Sequence, residues 1–391
     1  MHDLETLRLL FSSKFDTTPT IEIRANGRIN IIGEHTDYNM GFVLPAAIDK
    51  YIYFVGAKNG LDHFRVYAAD LEEYDTISLA DPLVKSDKLW TNYLTGILDQ
   101  YRLLGVQLEG LDCVFGGNLP VGSGMSSSAA LETGFATLIK EVFQVAISKP
   151  EMAQLAQSSS HQFIGVPCGI MDQFASLMGK EKQLVLLDCQ SLDFQYIPCD
   201  LGQYQIVLIN SKVSHNLNDS AYETRVKECQ EGVNILSKYQ KGLTSLREAS
   251  PELVRAHEAE LGDTVFRRCL YVTSENERLQ KVCDHLQKGE IEAVGGLLFE
   301  THEGLRDLYE VSCEEVDFLV DFAKKYPGAI GSRIMGGGFG GCSINLVDES
   351  RLSSFIEAVD LAYFEQFKVQ SEAYEVKIVD GTNVIKTAIL S

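Results

Sequence analysis

Gly27-Arg28-Ile29-Asn30-Ile31-Ile32-Gly33-Glu34-His35-Thr36-Asp37-Tyr38-Asn39 decides how this chain reads. A β-like segment, Ile21-Glu22-Ile23-Arg24, leads into it, and an apolar run from Phe42 to Ile48 follows. Glu34, His35 and Asp37 therefore crowd into four positions beside a core-forming strand. Unpaired charge is costly in such a setting, so these groups call for partners. Two carboxylates accept hydrogen bonds from hydroxyls, and a neutral imidazole both donates and accepts. That chemistry suits a polyhydroxylated ligand. The plainer reading, a loop ion-paired to Arg28, stands beside it at this point, because structural ion pairs are common.

The chain has 391 residues, which predicts about two domains. Apolar residues make up 45%, enough for ordinary globular cores. A net charge of −21 argues against a nucleic-acid surface, which needs a basic stripe. Nine cysteines are scattered without a C-x-x-C pair. They read as reduced thiols in a cytoplasmic protein rather than as a disulfide frame or a zinc site. No signal-peptide pattern and no apolar run of membrane-spanning length is visible, so no membrane partner is expected.

Strand-like segments at Tyr51–Val55 and Phe64–Tyr67 precede a helix over Trp90–Leu104. A further helix starts near Ser126–Ser128, with Leu131, Phe135, Leu138 and Val142 on one stripe. Buried strands are expected at Val185–Leu187 and Ile206–Ile209. Helices follow at Asp219–Tyr239 and Glu314–Lys325, then strands at Cys342–Val347 and Glu375–Val379. The boundary falls near 200, giving domains 1–200 and 201–391, with the last strand free to join either.

Leu119-Pro120-Val121-Gly122-Ser123-Gly124-Met125-Ser126-Ser127-Ser128-Ala129-Ala130-Leu131 joins a strand to a helix. Small residues let backbone approach an anion, and the first helical amides and the helix dipole favour negative charge there. A serine-capped helix after a glycine turn explains any one serine, but explains the whole run less well. The lysine of a Walker A loop is absent. Gly336-Gly337-Gly338-Phe339-Gly340-Gly341 satisfies G-x-G-x-x-G, but a strand follows it instead of a helix, so it reads as a hairpin-like loop open to a ligand. Val166-Pro167-Cys168-Gly169-Ile170-Met171-Asp172 places one acid in apolar surroundings. Alone it reads as a cap. Beside an arginine it becomes a candidate base for a substrate hydroxyl.

These three motifs together resemble the GHMP small-molecule kinase superfamily, which includes galactokinases, homoserine kinases and mevalonate kinases. The Gly27–Asn39 run looks like the galactokinase signature. Weaker similarity runs nearly end to end and includes Arg306-Asp307-Leu308-Tyr309-Glu310-Val311-Ser312. The resemblance implies an α+β fold of two lobes, with the active site in the cleft between N- and C-terminal domains. It implies a monomer acting on small molecules, with ATP and Mg²⁺. Glu34, His35, Thr36, Asp37, Gly169, Asp172 and Tyr222 would hold the sugar. Asp172 would be the base and Arg28 the transition-state stabiliser. Gly122, Ser123, Gly124, Met125, Ser126, Ser127 and Ser128 would wrap the ATP phosphates, with Ser128 on Mg²⁺. The activity implied is phosphorylation of α-D-galactose at its C1 hydroxyl, giving galactose 1-phosphate and ADP.

One departure bears on the metal. Galactokinases usually carry a glutamate twelve positions before the catalytic aspartate, and here Ser160 stands there. A hydroxyl is a poorer Mg²⁺ ligand than a carboxylate, although Mg²⁺ keeps water in several positions. Two rivals follow: a related kinase for L-arabinose or N-acetylgalactosamine, and a catalytically weakened sensor of galactose and ATP.

Overall fold

The computed structural model describes residues 2–80, 82–213 and 218–387. In chain order the strands are β1 (Ile21–Asn30), β2 (Phe42–Val43), β3 (Pro45–Lys58), β4 (His63–Ala68), β5 (Glu73–Ser78), β6 (Leu111–Gly117), β7 (Gln183–Asp188), β8 (Phe194–Pro198), β9 (Tyr204–Asn210), β10 (Ala329–Ile334), β11 (Cys342–Asp348), β12 (Glu372–Glu375) and β13 (Asn383–Thr387). The first sheet runs β13-β1-β3-β6-β4-β5, the second β10-β11-β9-β12 and the third β2-β7-β8. All pairings are antiparallel except β4 with β6. The chain thus mixes helix and strand in an α+β fold.

β1 is longer than its apolar opening suggests, because the signature continues it to Asn30. Its pairing with β3 shifts register between Asn26 and Arg28. Such a bulge re-aims the side chain that follows it, here Arg28. Gly27 at the bulge is held against neighbours. A Cβ there would lie 2.4 Å from Leu119 Cδ1 and 3.0 Å from the Met125 carbonyl oxygen.

Helix Ser127–Val142 packs on β1 and β3, and helix Met171–Met178 packs on both strands and on that helix. The two motifs that start these helices are therefore brought to one side of the first sheet. The Leu131, Phe135, Leu138, Val142 stripe is buried there, joined in one core with Ile23 and Phe54 of the first sheet and with Leu208 and Ile344 of the second. A second core unites Cys229 and Val233 of helix Asn218–Leu236 with Val265 and Tyr271 of helix Glu258–Lys288 and with Tyr309.

The expected strand Glu375–Val379 is divided. β12 ends at Glu375 in the second sheet, Ile378 makes one isolated bridge to Ile48, and β13 returns to pair with β1. Gly381 sits in the turn between them against Gly179, and the Gly381 N–H donates to the Gly179 carbonyl.

Candidate active site

β1 delivers Arg28 through its bulge, and the Arg28 N–H donates to the Met125 carbonyl. Its guanidinium reaches two other segments. Nε donates to Asp172 Oδ1 at 2.7 Å, and Nη1 donates to the Gly124 carbonyl. Asp172 stands in the first turn of helix Met171–Met178, and its second oxygen accepts from Ser126 Oγ at 2.6 Å. Ser126 holds a left-handed backbone (φ 58°) immediately before helix Ser127–Val142. Base candidate, guanidinium and phosphate-loop candidate are thus one hydrogen-bonded unit.

Beside it opens a cavity of about 480 Å³. Its wall includes Arg28, Glu34, His35, Asp37, Gly122, Gly124, Gly169, Asp172, Tyr222 and the five glycines of the second cluster. The three separated motifs converge there. Asp37 is pressed against Gly169 so closely that a Cβ at 169 would fall 1.6 Å from Asp37 Oδ2. Burial, with Asp172 and Glu34 adding like charge, pushes the Asp37 carboxyl up to about 7. Burial, helped by the positive Arg225, pushes His35 down to about 3, so its imidazole is neutral.

The remaining sequence candidates lie outside the cavity wall. Thr36 is fully buried, and its hydroxyl donates to the Gly33 and Phe42 carbonyls, closing the turn that presents its neighbours. Ser123 is buried and donates to the Pro120 carbonyl, and Met125 is core. Ser127 is half-buried and Ser128 exposed, both in the first turn of helix Ser127–Val142. Ser160 begins a single π-turn, Ser160–Ile164, and its Oγ donates to Glu132 Oε1 at 2.5 Å.

Sequence reasoning missed three groups. Arg333, fully buried, has Nη1 3.0 Å from Glu34 Oε1 and donates through Nε to the Ile31 carbonyl at 2.8 Å. The Gly336 N–H also donates to Glu34 Oε1, at 2.7 Å, while Asn30 Nδ2 donates to Oε2. Glu34 therefore couples the first motif to the glycine hairpin. Glu132, fully buried one turn after Ser128, accepts from Ser160 and from Gln173 Nε2, and burial pushes it up to about 7. Tyr309 is buried with its hydroxyl 2.7 Å from that of Tyr38. An acid four residues after a candidate ligand serine was the available signal for Glu132. Arg333 and Tyr309 carried none beyond lying in or next to recognisable segments.

The segments that carry the three motifs fall within matches to known families. Residues 9–58 match the galactokinase galactose-binding signature, 92–180 the GHMP kinases N terminal domain and 284–366 the GHMP kinases C terminal domain. A galactokinase from Thermotoga neapolitana is 39% identical over 367 residues, covering 93% of this chain and all of that protein. One from Roseiflexus is 37% identical, covering 97% of each. The crystal structure of Lactococcus lactis galactokinase complexed with galactose superposes with a TM-score of 0.92 at 32% identity, covering 97% of this chain and 99% of that one. A mevalonate kinase at 15% identity and TM-score 0.64 shares the fold alone. The chain belongs to the galactokinase family of the GHMP kinases.

Proposed function

We propose that this protein transfers the γ-phosphoryl group of ATP to the C1 hydroxyl of α-D-galactose, releasing galactose 1-phosphate and ADP. The observation that carries this reading is the Arg28–Asp172–Ser126 unit, which opens into the same cavity as Glu34, His35 and Asp37. Asp172 orients the C1 hydroxyl and takes its proton as that oxygen bonds to the γ-phosphorus and the bond to the ADP oxygen breaks. Arg28 stabilises charge on the transferring group. Glu34, Asp37 and Tyr222 accept or donate hydrogen bonds to the remaining hydroxyls, and the backbone at Gly122–Ser128 cradles the phosphates.

Among the described residues no group of three or more His, Cys, Asp or Glu side chains is arranged to hold a metal ion. Ser128, exposed at the helix start, would be the side chain to hold a Mg²⁺ ion through its hydroxyl. Such an ion neutralises phosphate charge. Ser160, engaged with Glu132, fits less well, and this favours a single protein ligand. The sensor reading draws on Ser160, but the paired Asp172 and Arg28 favour turnover.

The proposal places the division between lobes near 200, in the turn before β9. It also places a monomer in the cytoplasm, a reading supported by nine free thiols. The test is ADP release with ATP, Mg²⁺ and a sugar panel of galactose, L-arabinose and N-acetylgalactosamine. Galactose should give the highest kcat/KM. Tight galactose and ATP binding by calorimetry with no ADP formed would overturn the catalytic reading.

A further inference from the structure

His35 stands in a left-handed backbone conformation (φ 63°), an uncommon state for a residue with a side chain, and it is 4% exposed. Its two ring nitrogens meet different surroundings. Nδ1 lies 2.9 Å from the Tyr38 hydroxyl. That hydroxyl lies 2.7 Å from the Tyr309 hydroxyl, which in turn lies 3.2 Å from Cys229 Sγ. Nε2 is buried and has no hydrogen-bond partner of good geometry; the Gly337 backbone beside the ring favours a proton there, and the residue lines the cavity. A buried polar atom left open in this way is expected to meet a ligand.

The ring is neutral, so one nitrogen carries a proton and the other accepts. The choice follows from the acceptors that line the same cavity. Glu34 and Asp37 offer carboxylate oxygens, which accept the hydrogen bond of a sugar hydroxyl. That hydroxyl then has its lone pairs free and needs a donor. Burial keeps the Cys229 thiol protonated, pushing it up to about 11. The chain can therefore run in one direction, from S–H to Tyr309, from Tyr309 O–H to Tyr38, and from Tyr38 O–H to Nδ1. The proton then sits on Nε2.

We propose that Tyr38 and Tyr309 are positioning residues for sugar recognition: their hydroxyls hold His35 as the Nε2–H tautomer, aimed into the cavity as a donor to one ring hydroxyl of the sugar. This rests on the galactose reading above. The chain also crosses between lobes. Tyr38 belongs to the first motif, whereas Tyr309 closes a single π-turn, Gly304–Leu308, in the C-terminal half. Arg225 Nε donates to the Tyr309 carbonyl at 2.7 Å, and the Phe339 N–H donates to the Val311 carbonyl at 2.7 Å. The segment that sets the histidine is thus the one that braces the glycine hairpin.

The test combines two measurements on the full chain. Two-bond ¹H–¹⁵N correlation spectra of ¹⁵N-histidine-labelled protein report the His35 tautomer without any turnover. Wild type should show Nε2–H, and Tyr309→Phe should show a mixture. Kinetics of Tyr309→Phe and Tyr38→Phe should show KM for galactose raised roughly 3–15-fold, the worth of one neutral hydrogen bond. KM for ATP and kcat should stay within about twofold. Among monodeoxy galactoses, one position should lose its penalty in the variants while the others keep theirs, a pattern that general loosening would not give. An Nδ1–H tautomer in the wild type overturns the proposal, as does a Tyr309→Phe protein with unchanged tautomer and unchanged galactose KM. The wild-type spectrum decides even where a variant does not fold. If wild type fails to phosphorylate galactose, the function reading falls, whereas the spectrum still judges the tautomer.

Discussion

Asp172→Asn isolates the charge of the candidate base from its shape. The carboxylate accepts from Arg28 Nε at 2.7 Å and from Ser126 Oγ at 2.6 Å. An asparagine can keep its oxygen toward Arg28 and turn its amide toward Ser126, whose hydroxyl reorients to accept. The unit survives and the proton acceptor is lost. A general base is worth roughly 10²–10⁴ in rate, or about 3–5 kcal/mol of barrier. Stability should change less. Arg28 is buried, but the Asp172 side chain is 32% exposed. The lost pair therefore lies between the ~0–1 kcal/mol of surface ion pairs and the ~3–5 kcal/mol of buried ones, at about 1–3 kcal/mol. Asp37 should feel the change too, because Asp172 is the second cause of its raised pKa after burial. The expected result, by a coupled ADP-release assay and urea unfolding, is kcat down by roughly 10²–10⁴ with galactose KM within about threefold. The acid limb of the KM profile should move to lower pH. A folded Asp172→Asn protein that kept more than about a tenth of wild-type kcat would refute the assignment of the base.

Three further outcomes follow from the same geometry. Asp37 holds its proton up to about 7 in the folded protein against a usual value of 3.8, so its contribution to stability is present below about 3.8 and is lost as pH rises through 7. Galactose, which needs the carboxylate, should bind more tightly as pH rises from about 6 to 8. Calorimetry in buffers of different ionisation enthalpy should show proton release on binding; a pH-independent affinity with no release would contradict it. Gly169→Ala places a methyl on Asp37 and should cost more than tenfold in galactose affinity while ATP affinity is kept, read by isothermal titration of each ligand. Arg333→Met leaves the Glu34 carboxylate buried without its cation, and urea unfolding should register a loss of about 3–5 kcal/mol. Addition of Glu34→Gln should recover part of that loss, and a strictly additive double variant would show that the pair is not coupled.

The residues that sequence alone singled out share one property: each is a polar or conformationally special residue where local structure gives it nothing to do. Glu34, His35 and Asp37 beside an apolar strand, and three serines after a glycine turn, stand out because a core or a cap needs fewer of them. Thr36 entered only through the resemblance, and its hydroxyl is engaged with two carbonyls of its own turn. The α+β fold, built here on three sheets, came from the family resemblance, and the alternating segments fitted it, but the end of the chain was not legible. A single apolar alternation at Glu375–Val379 cannot reveal that β12 and β13 belong to different sheets on either side of the Gly381 turn. Arg333 was invisible because nothing local marks it. Its meaning lies in Ile31 and Glu34, some three hundred residues away, which it meets only after β10 and β1 have docked. The same holds for Glu132 behind Ser160. A glutamate at 160 would face Glu132 as a second buried acid, and like charges that close cannot both ionise. Ser160 removes that conflict by donating a hydrogen bond in place of a competing charge. The departure in the motif and the buried acid behind it are therefore one feature, with Glu132 accepting the Ser160 proton at 2.5 Å, and neither residue can be interpreted without the other.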